Sequence, residues 1–198
     1  MLVGPLYHHE CLNGTGYPNG LTKKDIPYYA QIIHIADVFD AIVAKRQYKT
    51  HINISETLKL LIKDAEPSIQ SVALDALATD SRYGKINPRV LNVLFKVVID
   101  DTLYEISCTM EYVNYLKDQL KRLHKIKRYG EKAENSKKDK DKDYYQECME
   151  ILFEQGENFG NYLDVIDEYN QALKNRSDVI EKLYREITII KKLNPNHL

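Results

Sequence analysis

The chain has 198 residues, with 28 Lys and Arg against 29 Asp and Glu and a formal net charge of −1. That balance gives no whole-chain reason to expect a nucleic-acid partner, and no DNA is expected. Apolar residues make up 43%, enough for a core. No apolar run nears the ~20 residues that span a bilayer, no signal peptide opens the sequence, and Cys11, Cys108 and Cys148 form no CxxC pair, which suits a reducing cytoplasm.

Residues 8–20 read HHECLNGTGYPNG. Each of two adjacent histidines can offer one ring nitrogen to a metal while the other is oriented by an acceptor. A polar surface turn that happens to hold two histidines is the bland alternative. Asp25-Ile26-Pro27 is a helix start, with Pro tolerated in the first turn and Asp favourable at the positive end. The following YYAQIIHIADVFDAIVAKR is apolar nearly all round, which predicts a helix buried in a core. Within it Asp37 and Asp40 are one turn apart, and His34 lies three residues before Asp37. A buried carboxylate needs a cation, a metal or donated hydrogen bonds. Taken alone, pairing with Arg or Lys is the commoner outcome. Taken with His8 and His9, a mixed nitrogen and oxygen set suits borderline divalent metals. Arg46 and Lys49, near the helix end, either complement its dipole or clamp a phosphate.

Ser55 is placed to cap the next helix, SETLKLLIKD, which Pro67 stops, and a further helix is expected over about residues 69–79. A turn at Tyr83-Gly84-Lys85 leads to Asn87-Pro88 and the apolar helix RVLNVLFKVVI. Beyond residue 101 the character changes. Val113, Leu116, Leu120 and Leu123 form a narrow helical stripe that runs into AENSKKDKDKD, residues 133–143, a charged linker or frayed helix. Helical spacing resumes through Met149, Ile166 and Leu173 and on to Ile187 and Ile190. The expected organisation is a domain over 1–101, a helical connector over 102–132, a charged linker over 133–143 and a C-terminal helical region over 144–198. The fold class is all-α, its tail an antiparallel bundle or a coiled-coil-like appendage able to form homo-oligomers.

The sequence HHE-x-x-N-G-x-G-Y-P-x-G-L, followed by IADVFDA-x-x-x-x-R-x-Y-K and later by Gly84-Lys85-Ile86-Asn87-Pro88, resembles the second half of the HD-GYP family over residues 7 to about 98. The resemblance implies an all-helical HD-type domain and metal-dependent hydrolysis of cyclic di-GMP or a related dinucleotide. It implies that His8, His9 and Asp37 ligate divalent metal, Fe or Mn, with two ions in an intact site. It implies that Arg46 and Lys49 contact substrate phosphates. Gly14, Gly16, Tyr17 and Pro18 would form the named loop, a place where a diguanylate-cyclase-type domain could dock. Asp40 and Glu10 are grouped with the catalytic residues, Asp40 behind the ligands and Glu10 supporting the histidines. Asn13 stands where the family usually has Asp. The family's His-Asp dyad lies upstream of this segment, and no His-Asp pair occurs in these 198 residues. The expectation is therefore a fragment, weak or inactive alone, with the missing half supplied in trans by another chain. The alternative is a degenerate, non-catalytic module that binds partners or senses cyclic dinucleotides.

Overall fold

The computed structural model describes residues 6–47, 54–67, 82–154, 157 and 160–194, and for 44–47 the backbone alone. Its helices are α1 (Tyr28–Gln47), α2 (Ile54–Ala65), α3 (Pro88–Asn135), α4 (Asp139–Glu150) and α5 (Tyr162–Leu193). The protein is all-helical: among the described residues the only β pairing is an isolated bridge between Asn13 and Thr22. The helix expected over 69–79 lies outside the described residues.

The chain divides into two compact units, Met1–Thr102 with Arg185–Leu198, and Leu103–Tyr184. In the first, Ile35 of α1, Leu58 and Leu61 of α2, and Val90, Leu91 and Phe95 of α3 close a core that Ile190 of α5 completes. Leu58, Leu61, Phe95 and Ile190 are fully buried. The expected assignment of all of 144–198 to a separate C-terminal region therefore differs from the structure, which places the last turns of α5 in the first unit. The predicted Ser55 cap differs as well. Ser55 lies inside the first turn of α2, and its N–H donates to the Glu186 carboxylate at 2.8 Å. A carboxylate from 131 residues away thus satisfies one of the first-turn amides that have no partner within the helix.

The start of α3 is fixed as the sequence predicts. The Asn87 side-chain oxygen accepts from the Arg89 N–H at 2.9 Å, an N-cap ahead of Pro88. Its amide donates to Gln31 at 2.7 Å, and Gln31 donates to the Ile26 carbonyl at 2.9 Å, so a buried polar chain ties α3 to α1. Helix α3 runs unbroken through the expected boundary at residue 101, where Thr102 satisfies its hydroxyl on the Val98 carbonyl, 2.8 Å away.

In the second unit Leu120, Leu123 and Ile126 of α3, Met149 of α4 and Ile166 of α5 form one cluster. The heptad-like stripe is thus buried against helices of its own chain. Residues 139–143, expected in the charged linker, are helical. Asp139 and Asp141 lie in the first turn of α4, where acids favour a helix. Arg122 holds this unit together with a fork to Glu157, at 2.6 and 2.7 Å, and a bond to the Leu152 carbonyl at 2.8 Å.

Candidate metal centre

The segment before α1 is a loop folded tightly over itself. Gly14 has φ 80° and Gly20 φ 64°, left-handed values that favour glycine. Gly16 is required for another reason: a Cβ there would lie 2.5 Å from the Glu10 Cα. Asn13 turns the chain by accepting from the Thr15 hydroxyl at 2.7 Å and the Thr15 N–H at 3.2 Å. Leu12, Ile26 and Ala30 form a small buried cluster beneath the loop, and the Leu12 N–H donates to the Lys85 carbonyl at 2.9 Å. Lys85 and Ile86 in turn donate to the Asp64 carbonyl, so the loop is braced against the end of α2.

Glu10 is 2% exposed and accepts from the Asn19 N–H at 2.7 Å and the Leu21 N–H at 2.9 Å. Both its oxygens are engaged by the far limb of the Gly-Tyr-Pro loop. The loop returns across His9, whose carbonyl accepts from the Tyr17 N–H at 3.3 Å and whose ring stacks on Tyr17 with centroids 4.7 Å apart. The Tyr17–Pro18 peptide is cis.

The His8 and His9 rings lie 3.9 Å apart. One ligand atom from each of His8, His9 and Asp37 falls within 4.8 Å of the other two, the only such cluster of His, Cys, Asp and Glu among the described residues. Asp37 reaches it from the second turn-pair of α1, and among the described residues it makes no ion pair with Lys or Arg. Two imidazole nitrogens and a carboxylate oxygen at this spacing fit one divalent cation. The expectation that Asp37 and Asp40 are buried is not met: both are exposed, as are Ile32, Ile33 and Ala36 on the same helix. The helix is apolar all round, yet part of that surface faces solvent. Asp40 lies outside the three-residue cluster. Arg46 belongs to α1 by backbone only and Lys49 lies outside the described residues.

His34 is the residue the sequence left without a role. Its Nδ1–H donates to the His8 carbonyl, which fixes the backbone of the histidine pair from α1. A carbonyl only accepts, so Nδ1 carries the proton. Burial pushes the His34 imidazole below its usual range, against the opposing pull of that same hydrogen bond. The spacing of His34 one turn before Asp37 was its only signal in the sequence.

Residues 4–69 match the family model described as HD domain. Over 75 residues, 38% of this chain and 17% of the relative, the chain is 32% identical to a probable cyclic di-GMP phosphodiesterase of Vibrio cholerae. It is 60% identical over 42 residues, 21% of the chain and 8% of the relative, to the 3'3'-cGAMP-specific phosphodiesterase 2 of the same organism. The match to the cyclic di-GMP phosphodiesterase PdeB of Borreliella burgdorferi is 30% over 113 residues, 57% of the chain and 24% of the relative. The chain thus spans less than a quarter of the length of these relatives. No solved structure matches it.

Proposed function

We propose that the first unit carries part of an HD-type metal-dependent phosphodiesterase site for a cyclic dinucleotide, cyclic di-GMP or its 3'3'-cGAMP analogue, with His8, His9 and Asp37 as metal ligands. The observation that carries this reading is the convergence of those three side chains from two separate elements within 4.8 Å. The HD-domain match over residues 4–69 and the names of the relatives support the reaction class. A divalent ion held there, Fe or Mn by the family resemblance, would supply Lewis-acid chemistry at the phosphoryl group and a water of lowered pKa. His34 holds the His8 backbone, Tyr17 caps the His9 ring, and Glu10 keeps the loop closed over both. Arg46 and Lys49, which follow the acidic pair in the sequence, are assigned to the substrate phosphates. The Gly-Tyr-Pro loop, with Tyr17 61% exposed, is the surface offered to a partner domain.

Three ligands hold one ion weakly and do not build a two-metal centre with ions about 3.5–4 Å apart. The proposal therefore includes a second segment, from another chain or from another part of a longer one, that brings further ligands. The exposed Tyr29, Ile32 and Ile33 of α1, beside Asp37, are the surface on which it packs. The second reading, a non-catalytic module that binds the dinucleotide or a partner, is favoured by the same short ligand set. Two measurements separate them. Mn²⁺ binding by calorimetry is lost in His8→Ala and Asp37→Asn and retained in Asp40→Asn. Linear product released from cyclic di-GMP with added Mn²⁺ or Fe²⁺ is slow with the chain alone and rises when the complementing segment is added. Unchanged metal binding in Asp37→Asn refutes the site, and dinucleotide binding without product under any complementation leaves the module reading.

A further inference from the structure

The second unit carries a feature the phosphodiesterase reading does not use. Between Lys117 and Lys132 one exposed face of α3 is basic. At 3.6 residues per turn Lys117, Lys121, His124, Lys125, Arg128 and Lys132 fall in a stripe about 100° wide and about 22 Å long. All six are exposed. Lys121 meets Asp118 at 2.9 Å, a pair open to solvent on both sides, whereas Lys117, Lys125 and Arg128 form no ion pair among the described residues. A groove of about 510 Å³ runs along this face, lined by Lys121, His124, Lys127, Arg128 and Glu131. A net charge of −1 conceals the arrangement because the cations are gathered on one helix face.

Aromatic rings continue the stripe. The Lys132 ammonium lies 5.4 Å from the Tyr145 ring centroid and 6.0 Å from that of Tyr129. Tyr129 and Tyr145 are stacked with centroids 6.2 Å apart, and Tyr144, 60% exposed, meets Tyr145 edge-on at 5.4 Å. The apolar side of the helix, Leu120, Leu123 and Ile126, is buried in the unit's own core and is not available to enter a lipid surface. A row of cations at helical spacing that ends at the exposed Tyr144 ring matches the two components of single-strand recognition, backbone charge and base stacking.

We propose that this face of α3 binds single-stranded nucleic acid, phosphates along the Lys117–Lys132 stripe and a base on Tyr144. The test uses the whole chain and fluorescein-labelled oligouridylate and oligothymidylate of about 12 nucleotides, read by anisotropy. Both bind at low salt, and the affinity falls at least about tenfold between roughly 50 and 200 mM salt. The Lys121→Gln, Lys125→Gln, Arg128→Gln variant loses about tenfold in affinity and shows a shallower salt slope. Tyr144→Ala loses about fivefold with the slope unchanged, because stacking carries no counterions. His8→Ala binds as the parent does, which separates this surface from the metal centre. Circular dichroism checks that each variant is folded, and Arg128→Gln alone serves if the triple variant is not. Three results overturn the proposal: no oligonucleotide binding at 50 mM salt, binding unchanged in the glutamine variants, or capture by phosphatidylserine vesicles that oligonucleotide does not compete away.

Discussion

Replacing Glu10 tests how the loop over the histidines is held. The carboxylate is buried and accepts two backbone N–H bonds, from Asn19 at 2.7 Å and Leu21 at 2.9 Å. Hydrogen bonds to a charged acceptor contribute about 1.5–3 kcal/mol each. Asn19 is exposed, so its amide regains water when the acceptor is gone, while Leu21 is half-buried and recovers less. The loss in Glu10→Ala is accordingly about 2–4 kcal/mol for the local structure, nearer one strong bond than two. Glu10→Gln keeps one acceptor and sets an NH₂ against the other amide, so its loss lies at the low end of that range. Amide hydrogen exchange reads this directly. Protection at Asn19 and Leu21 falls by about 30-fold to 1000-fold, at about 1.4 kcal/mol per tenfold, while amides in the α3–α5 cluster around Leu123 stay unchanged. Because Tyr17 sits on His9, Mn²⁺ affinity falls with it by about tenfold, as for other residues behind a metal ligand. Unchanged protection at both amides in Glu10→Ala would refute the brace.

Further substitutions probe the scaffold. At Gly84 an added Cβ would meet the Ala65 carbonyl carbon and oxygen at 2.5 Å, and backbone on both sides cannot yield. Gly84→Ala is expected to lower the first unit's stability by about 2 kcal/mol or more in urea unfolding. At Gly130, inside the helix near its C-terminal end, such a Cβ meets only side-chain atoms, the Met149 terminal methyl at 3.3 Å and the Met149 Sδ and Tyr162 hydroxyl at 3.6 Å. Gly130→Ala is therefore neutral or stabilising by up to about 1 kcal/mol, from helix propensity. Arg122 holds the Glu157 carboxyl below its usual range of about 4.5. The second unit therefore keeps that stabilisation above about pH 4.5 and loses it as pH falls through the depressed value. In Glu157→Gln this acid-side slope disappears. Circular dichroism melts at pH 3–5 would show it.

Helix positions and the apolar stripes were legible because period and capping chemistry act locally: Asn87-Pro88 begins a helix, and Leu116, Leu120 and Leu123 are buried as their spacing requires. The approach of His8, His9 and Asp37 was legible only through the family-like spacing of three distant motifs, since no local rule brings a loop onto α1. What failed was long-range. The apolar surround of Asp37 and Asp40 implied burial, but periodicity reports composition around a helix, not which neighbours are present to cover it. The bond from Ser55 to Glu186 joins residues 131 apart and left no trace near Ser55. Of the two readings of residues 133–143, charged linker or frayed helix, 139–143 are helical: alternating Lys and Asp lack apolar surface, but Asp139 and Asp141 sit in a first turn and Met149 of the same helix is buried. The contacts of the Glu10 oxygens with amides nine and eleven residues on likewise left no local signal in the sequence.

The seat of Ile190 among Leu58, Leu61 and Phe95 sets an order on biosynthesis. A ribosome delivers α1, α2 and the beginning of α3 long before it delivers the side chain that finishes their interior. The nascent first unit therefore waits with an unfilled hollow while the intervening helices emerge and fold. A stop codon introduced after residue 184 would spare every proposed metal ligand and still leave that hollow open, so such a product is expected to be a substrate for proteolysis.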